Sequence, residues 1–148
     1  MHSLRFATTV ALACLAPGLA GGTADARARS LPQVPVAGAV TVARAEYGEA
    51  SAVAARGGTP VEIALAVARP FDGSMQHIIQ VNQGAEAPSA SRVTVLRDGL
   101  LDDSVRGDRW DVALERAQSG AWTIKEVKRA WRCRRGAGPD QFAAVRCP

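Results

Sequence analysis

The sequence predicts an α+β domain in which a helix lies across a four-stranded antiparallel meander and one disulfide closes the tail. Three observations lead there. Thr59-Pro60-Val61-Glu62 opens an apolar run with a full set of helix-start signals. Several later stretches alternate apolar and polar residues with period two, and glycine-bearing turns separate them. A chain of 148 residues leaves room for one domain. With 47% hydrophobic and 22% charged residues it is neither a disordered nor a collagen-like chain.

Residues 1–26 read as a cleaved signal peptide. Met1 to Arg5 carries positive charge, Phe6 to Ala16 is apolar, and Pro17 and Gly18 precede small residues. Ala24-Asp25-Ala26 and Ala26-Arg27-Ala28 both fit the small-x-small cleavage pattern. The alternative of a membrane anchor needs ~20 apolar residues, and this run has about half that number. Lipidation at Cys14 is a second alternative, but Ala11 stands where a lipidation motif usually carries leucine. The expected location is therefore the periplasm or the extracellular space, with no transmembrane segment in the mature chain.

Residues 27–58 read as a leader followed by a weakly defined helix. Val36, Val40 and Val42 suggest a strand, whereas Ala43, Tyr47, Ala50 and Ala54 recur at helical spacing and favour a helix from Val42 to Ala55. Gly57-Gly58 ends it. The α+β domain proper occupies residues 59–148. Its helix runs from Thr59 to Arg69 and stops because Pro70 disfavours helical geometry in the residue before it. Strands are expected over Gln76–Asn82, Arg92–Leu96, Asp108–Arg116 and Ala121–Arg134, with a hairpin turn at Gln118-Ser119-Gly120. The last strand changes phase between Trp122/Ile124 and Val127/Trp131/Cys133. An extra residue near Lys125–Glu126, a β-bulge, would return both sets to one face. In outline, by order of elements alone, such a domain is similar to cystatin-type folds.

With Cys14 removed in the signal, Cys133 and Cys147 remain in an oxidising compartment and are expected to form a structural disulfide. A redox pair would sit closer together, at a helix start. His77 is the one histidine left after cleavage and reads as a hydrogen-bonded strand residue, the alternative being a general base. Asp98, Asp102, Asp103 and Asp108 have the spacing of turns and salt bridges; calcium binding or acid–base work is the alternative, but no EF-hand spacing is present. Arg106-Gly107-Asp108 spells an integrin-type tripeptide that three residues produce by chance. Trp110, Trp122 and Trp131 suit core packing, with Trp131 placed among cations. No cofactor motif and no metal-ligand spacing emerges.

Charge is unevenly spread. From Ala121 onward seven Lys and Arg stand against two Asp and Glu, whereas residues 27–120 hold ten Arg against eleven acids. Lys125, Lys128, Arg132, Arg134 and Arg135 would form one solvent-facing stripe on the last strand. Such a stripe suits an anionic polymer or a membrane surface, without any nucleic-acid recognition motif. The function expected is that of a non-catalytic exported binding domain. The alternatives are a small hydrolase or lyase using His77 and an aspartate in a helix–sheet pocket, or a secreted inhibitor.

The C-terminal third carries a more specific pattern: Leu100-Leu101-Asp102-Asp103-Ser104-Val105-Arg106-Gly107, then Trp122, Trp131-Arg132-Cys133, Gly136, Gly138 and Cys147. It resembles small exported bacterial proteins of uncharacterised function. Those carry Arg between the two glycines and His after the second, where this chain has Ala137 and Pro139. The resemblance implies export and supplies no activity. Intact mass of exported protein should show cleavage after Ala26 or Ala28; a mass retaining residues 1–26 would refute export by this route.

Overall fold

A computed structural model describes residues 31–84, 86–136 and 140–148; the signal-peptide reading lies outside the described residues. Five strands form one antiparallel sheet in the order β1-β5-β4-β3-β2. These are β1 (Val40–Thr41), β2 (Met75–Gln83), β3 (Ala90–Asp98), β4 (Val105–Arg116) and β5 (Trp122–Cys133). The expected four-stranded meander is present as β2 to β5. The fifth strand is the correction: β1 is two residues long and pairs Val40 with Arg129 and Thr41 with Lys128. So short a strand leaves almost no periodicity to read.

Two helices precede the meander, α1 (Gly48–Ala55) and α2 (Pro60–Ala68). The ambiguous segment turns out to hold both structures it suggested, β1 and then a 3₁₀ turn at Arg44–Tyr47 leading into α1. Thr59 caps α2 as its sequence requires. Its hydroxyl accepts from the Glu62 amide at 3.3 Å, while the Glu62 carboxylate accepts from the Thr59 amide at 2.7 Å. The Thr59 amide and hydroxyl, both donating to the carboxylate, hold the Glu62 carboxyl below the usual carboxylate range.

Both helices lie on one face of the sheet. Ile63, Ala64 and Val67 of α2 pack with Ala50 and Ala54 of α1 against Val93, Val95, Trp110, Val112, Leu114 and Val127. Trp122 and Ile124 join this core from the other parity of β5. They can do so because the register with β4 shifts between Ala113↔Glu126 and Leu114↔Ile124, leaving Lys125 as the extra residue of a bulge. A second shift in the β4–β5 pairing lies between Val105 and Gly107, and at Gly107 β4 also approaches β3 closely. A Cβ at Gly107 would run into the Arg97 carbonyl oxygen, so the close approach needs glycine there.

The opposite face carries a smaller core at one end of the sheet: Val34, Leu96, Ala130 and Phe142, with Ala39 against them. The chain before β1 and the tail after β5 build it together. Phe142 donates its amide to the Pro35 carbonyl and accepts from the Ala37 amide, both at 2.8 Å, and Ala143 exchanges two 2.9 Å bonds with Trp131. The expected disulfide joins Cys133 to Cys147 with a Cα separation of 5.3 Å, and so ties the tail to the end of β5.

Closing a loop across a separation of 14 residues should stabilise the fold by roughly 3 kcal/mol. Urea unfolding of Cys147→Ala should therefore show a loss of about that size, with Phe142 becoming more exposed as the tail loosens. An unchanged midpoint would mean that the tail is held by its backbone bonds alone.

Candidate functional site

Alternation places a charge on the core side of a strand only when something compensates it. Three strands do so at the same level of this sheet. Arg97 follows Val93 and Val95 on β3, Asp108 precedes Trp110 and Val112 on β4, and Arg129 stands between Val127 and Trp131 on β5. The three meet beyond the end of α2. The Asp108 side chain is fully buried, and Arg97 grips it with both arms, Nε to Oδ1 at 2.7 Å and Nη2 to Oδ2 at 2.8 Å. Trp110 Nε1 and Arg129 Nη2 both donate to Oδ2, at 2.9 Å each. One carboxylate thus accepts four hydrogen bonds, and two guanidinium charges surround it.

Above this layer the helix face opens into a cleft of about 570 Å³, lined by Arg97, Trp110, Arg129 and Trp131, with Arg69 and Arg146 and the acidic Glu46, Asp72 and Asp102 also around it. Arg129 lies between two indoles, its Cζ 4.3 Å from the Trp110 ring centroid and 5.0 Å from that of Trp131. Its Nε is buried without a hydrogen-bond partner. Arg146, from the tail, reaches over Trp131 at 5.7 Å.

The rim is strained at one point. Arg69, just past α2, has φ 66°, a left-handed value that side chains with a Cβ seldom adopt. Such a conformation costs on the order of 1–3 kcal/mol and persists only where the surroundings hold it. Here Arg97 Nη1 donates to the carbonyls of Arg69 and Pro70 at 3.3 and 3.4 Å, and Arg69 Nη2 reaches the Glu46 carbonyl at 3.4 Å. The same arginine that anchors Asp108 thus fixes the cleft wall.

The residues singled out from the sequence are dispersed. His77 sits on the face away from the helices, across from Leu96, and among the described residues it shares no hydrogen bond or ion pair with a carboxylate. The four aspartates separate. Asp102 caps its own turn, accepting from the amides of Ser104 and Val105 at 2.8 and 2.7 Å, bonds that lower its pKa. Asp98 pairs with Arg106 at 3.3 Å and Arg132 at 3.2 Å, Asp103 is exposed, and Asp108 is buried. Because Asp108 is enclosed, the Arg106-Gly107-Asp108 tripeptide is not presented. No group of three His, Cys, Asp or Glu side chains gathers as metal ligands among the described residues.

The five cations of the expected stripe have different surroundings. Lys125 pairs with Glu115 at 3.0 Å and Lys128 with Glu126 at 3.2 Å. Arg132 is largely buried beside Asp98, and that burial lowers its pKa against the opposing pull of the carboxylate. Arg134 donates to the carbonyls of Leu100 and Asp102, while Arg135 is exposed. Nearby, Asp111 takes two bonds from Arg109 and one of 2.6 Å from Thr94. Burial would raise its pKa, but these bonds outweigh it and hold the carboxyl below its ordinary value.

Arg97, Asp108 and Arg129 were not foreseen as a site. Their signal was present, since each is a charged residue on the apolar parity of its strand, but only the register shows that the three adjoin. Trp122 stays apart from the other two tryptophans, packed at the far end of the core with Arg116 5.8 Å from its ring. Comparison with family models, curated proteins and solved structures finds no match for this chain.

Replacing Asp108 by Asn would leave two guanidinium groups facing each other around a neutral amide. A loss of about 3–5 kcal/mol is expected in chemical denaturation, as for other buried pairs broken from one side. A loss below 1 kcal/mol would show that solvent reaches the cluster freely.

Proposed function

We propose that this chain is a non-catalytic exported domain that binds an acidic group, a carboxylate or phosphate of an envelope or extracellular ligand, in the helix-face cleft. One observation carries this: Arg129 is held against Trp110 and Trp131 with 29% of its side chain still exposed, and Arg69 and Arg146 also line the cleft. A guanidinium stiffened by two indoles and anchored through Nη2 to Asp108 loses little freedom on binding, so a bond to it contributes most of its strength. The cationic strand expected to meet the ligand is still β5, but its helix-side arginine takes the role from the outer stripe. There, Lys125, Lys128 and Arg132 each lie within 3.2 Å of a carboxylate of this chain.

The reading keeps the chain with the small exported bacterial proteins that its C-terminal pattern resembles. The cystatin-like outline extends no further than the order of layers. A catalytic role for His77 finds little support, because the imidazole lies across the sheet from the cleft.

Titration with phosphate and with acetate, followed by the indole N–H and arginine Nε–H signals in NMR, tests the proposal. Shifts should concentrate at Trp110, Trp131 and Arg129. Arg129→Met should weaken binding at least tenfold, the equivalent of one charge-assisted hydrogen bond. A Lys125→Ala, Lys128→Ala variant should bind as wild type does. Loss in that variant with retention in Arg129→Met would move the site to the outer face.

A further inference from the structure

The two edges of the sheet are built differently. At one edge β1 is only two residues long, and the tail continues the pairing along β5 through Ala143. At the other, β2 runs for nine residues, paired with β3 at every position without a bulge, and its outer backbone edge has no partner among the described strands. Sheet edges of this length are normally blunted by charge, proline or a bulge, because they template pairing with another chain. β2 has none of these. Residues 73–84 carry no Asp, Glu, Lys, Arg or Pro, in a protein where 22% of residues are charged. Met75, Ile78, Ile79 and Val81 of this strand are between 39% and 63% exposed.

We infer that β2 is a homodimer edge, pairing antiparallel with β2 of a second copy about a two-fold axis at Ile78 to make one continuous sheet. The inference is independent of the anion-binding reading. A two-fold perpendicular to the sheet keeps both helix layers on the same side and sets residues of equal parity opposite each other. With Ile78 on the axis, no Asp, Glu, Lys or Arg falls opposite another along the nine paired residues. On the helix side Ile78 meets Ile78, Gln76 meets Gln80, and Ser74 meets Asn82. On the other side Met75 meets Val81, and His77 meets Ile79. Apolar side chains pair with apolar ones or with an imidazole, and amides and hydroxyls pair with amides.

A foreign strand would have to match this neutral, amide-and-aliphatic row by chance, whereas a second copy matches it by symmetry. Nine paired residues span about 30 Å of strand. Edge pairing alone falls below the ~1,200 Å² of standard interfaces, so the dimer should form at high concentration and dissociate on dilution.

Sedimentation velocity of the disulfide-bonded protein over a concentration series tests this. The average mass should rise towards twice that of the monomer for wild type. Ile78→Lys and Ile78→Glu, each with an unchanged circular dichroism spectrum, should stay monomeric throughout. An equimolar mixture of the two should recover the dimer, since Lys and Glu then face each other across the axis. Val81→Lys, at the most exposed apolar position of the strand, is a second disrupting variant should Ile78 prove necessary for folding. The inference fails if wild type stays monomeric, if the disrupting variants associate as wild type does, or if the mixture associates no better than its components.

Discussion

One buried carboxylate organises this molecule. Asp108 is removed from water in the middle of the sheet, where an uncompensated charge would be prohibitive. It is tolerated because four donors from three strands converge on it. The consequences run outward from there. Arg97 must point inward, which brings its Nη1 to the carbonyls of Arg69 and Pro70 just after α2. Arg129 must do the same, which draws it between two indoles. Even the missing side chain at Gly107 belongs to this arrangement, for it lets β4 press against the Arg97 backbone. Replacing such a cluster by aliphatic residues of like volume commonly does no harm to stability. Its presence at the floor of a cleft is therefore better explained by what it holds in place above it.

The sheet divides its charges by face. On the helix side, two arginines share one aspartate and the balance is positive at the cleft floor. On the other side, most cations have a carboxylate neighbour: Lys125 with Glu115, Lys128 with Glu126, Arg109 with Asp111, and Arg106 and Arg132 sharing Asp98. Exposed pairs of this kind add little stability. The excess of cations in the last segment of the sequence is thus partly offset by neighbouring carboxylates once the strands are paired.

The features legible in the sequence were those set by near neighbours. Thr59, Pro60 and Glu62 announce a capped helix because the capping bonds span three residues. The phase change in β5 announces the bulge at Lys125 because both apolar sets must face one core. Cys133 and Cys147 announce the disulfide once the chain is read as exported. What could not be read depends on register. Glu115 neutralises Lys125 only because β4 and β5 pair as they do, and Arg97, Asp108 and Arg129 are separated by 11 and 21 residues. The tail was legible as a loop closed by cysteines, but not as the second core, since Phe142 meets Val34 and Leu96 from opposite ends of the chain.

That second core has a dynamic consequence. It covers the sheet beneath Leu96 and Ala130, while the helices cover the other face at Val93, Val95 and Val127, so β3 is enclosed on both sides over Val93 to Arg97. Amides enclosed in this way exchange with solvent only when the whole domain opens. β2 lacks the tail's cover and meets only α2 on the helix side, so in the monomer it separates from β3 at lower cost. The sheet should thus grade from a rigid half, clamped between helices and tail, to a pliant outer strand, with protection against exchange falling off strand by strand from β4 to β2.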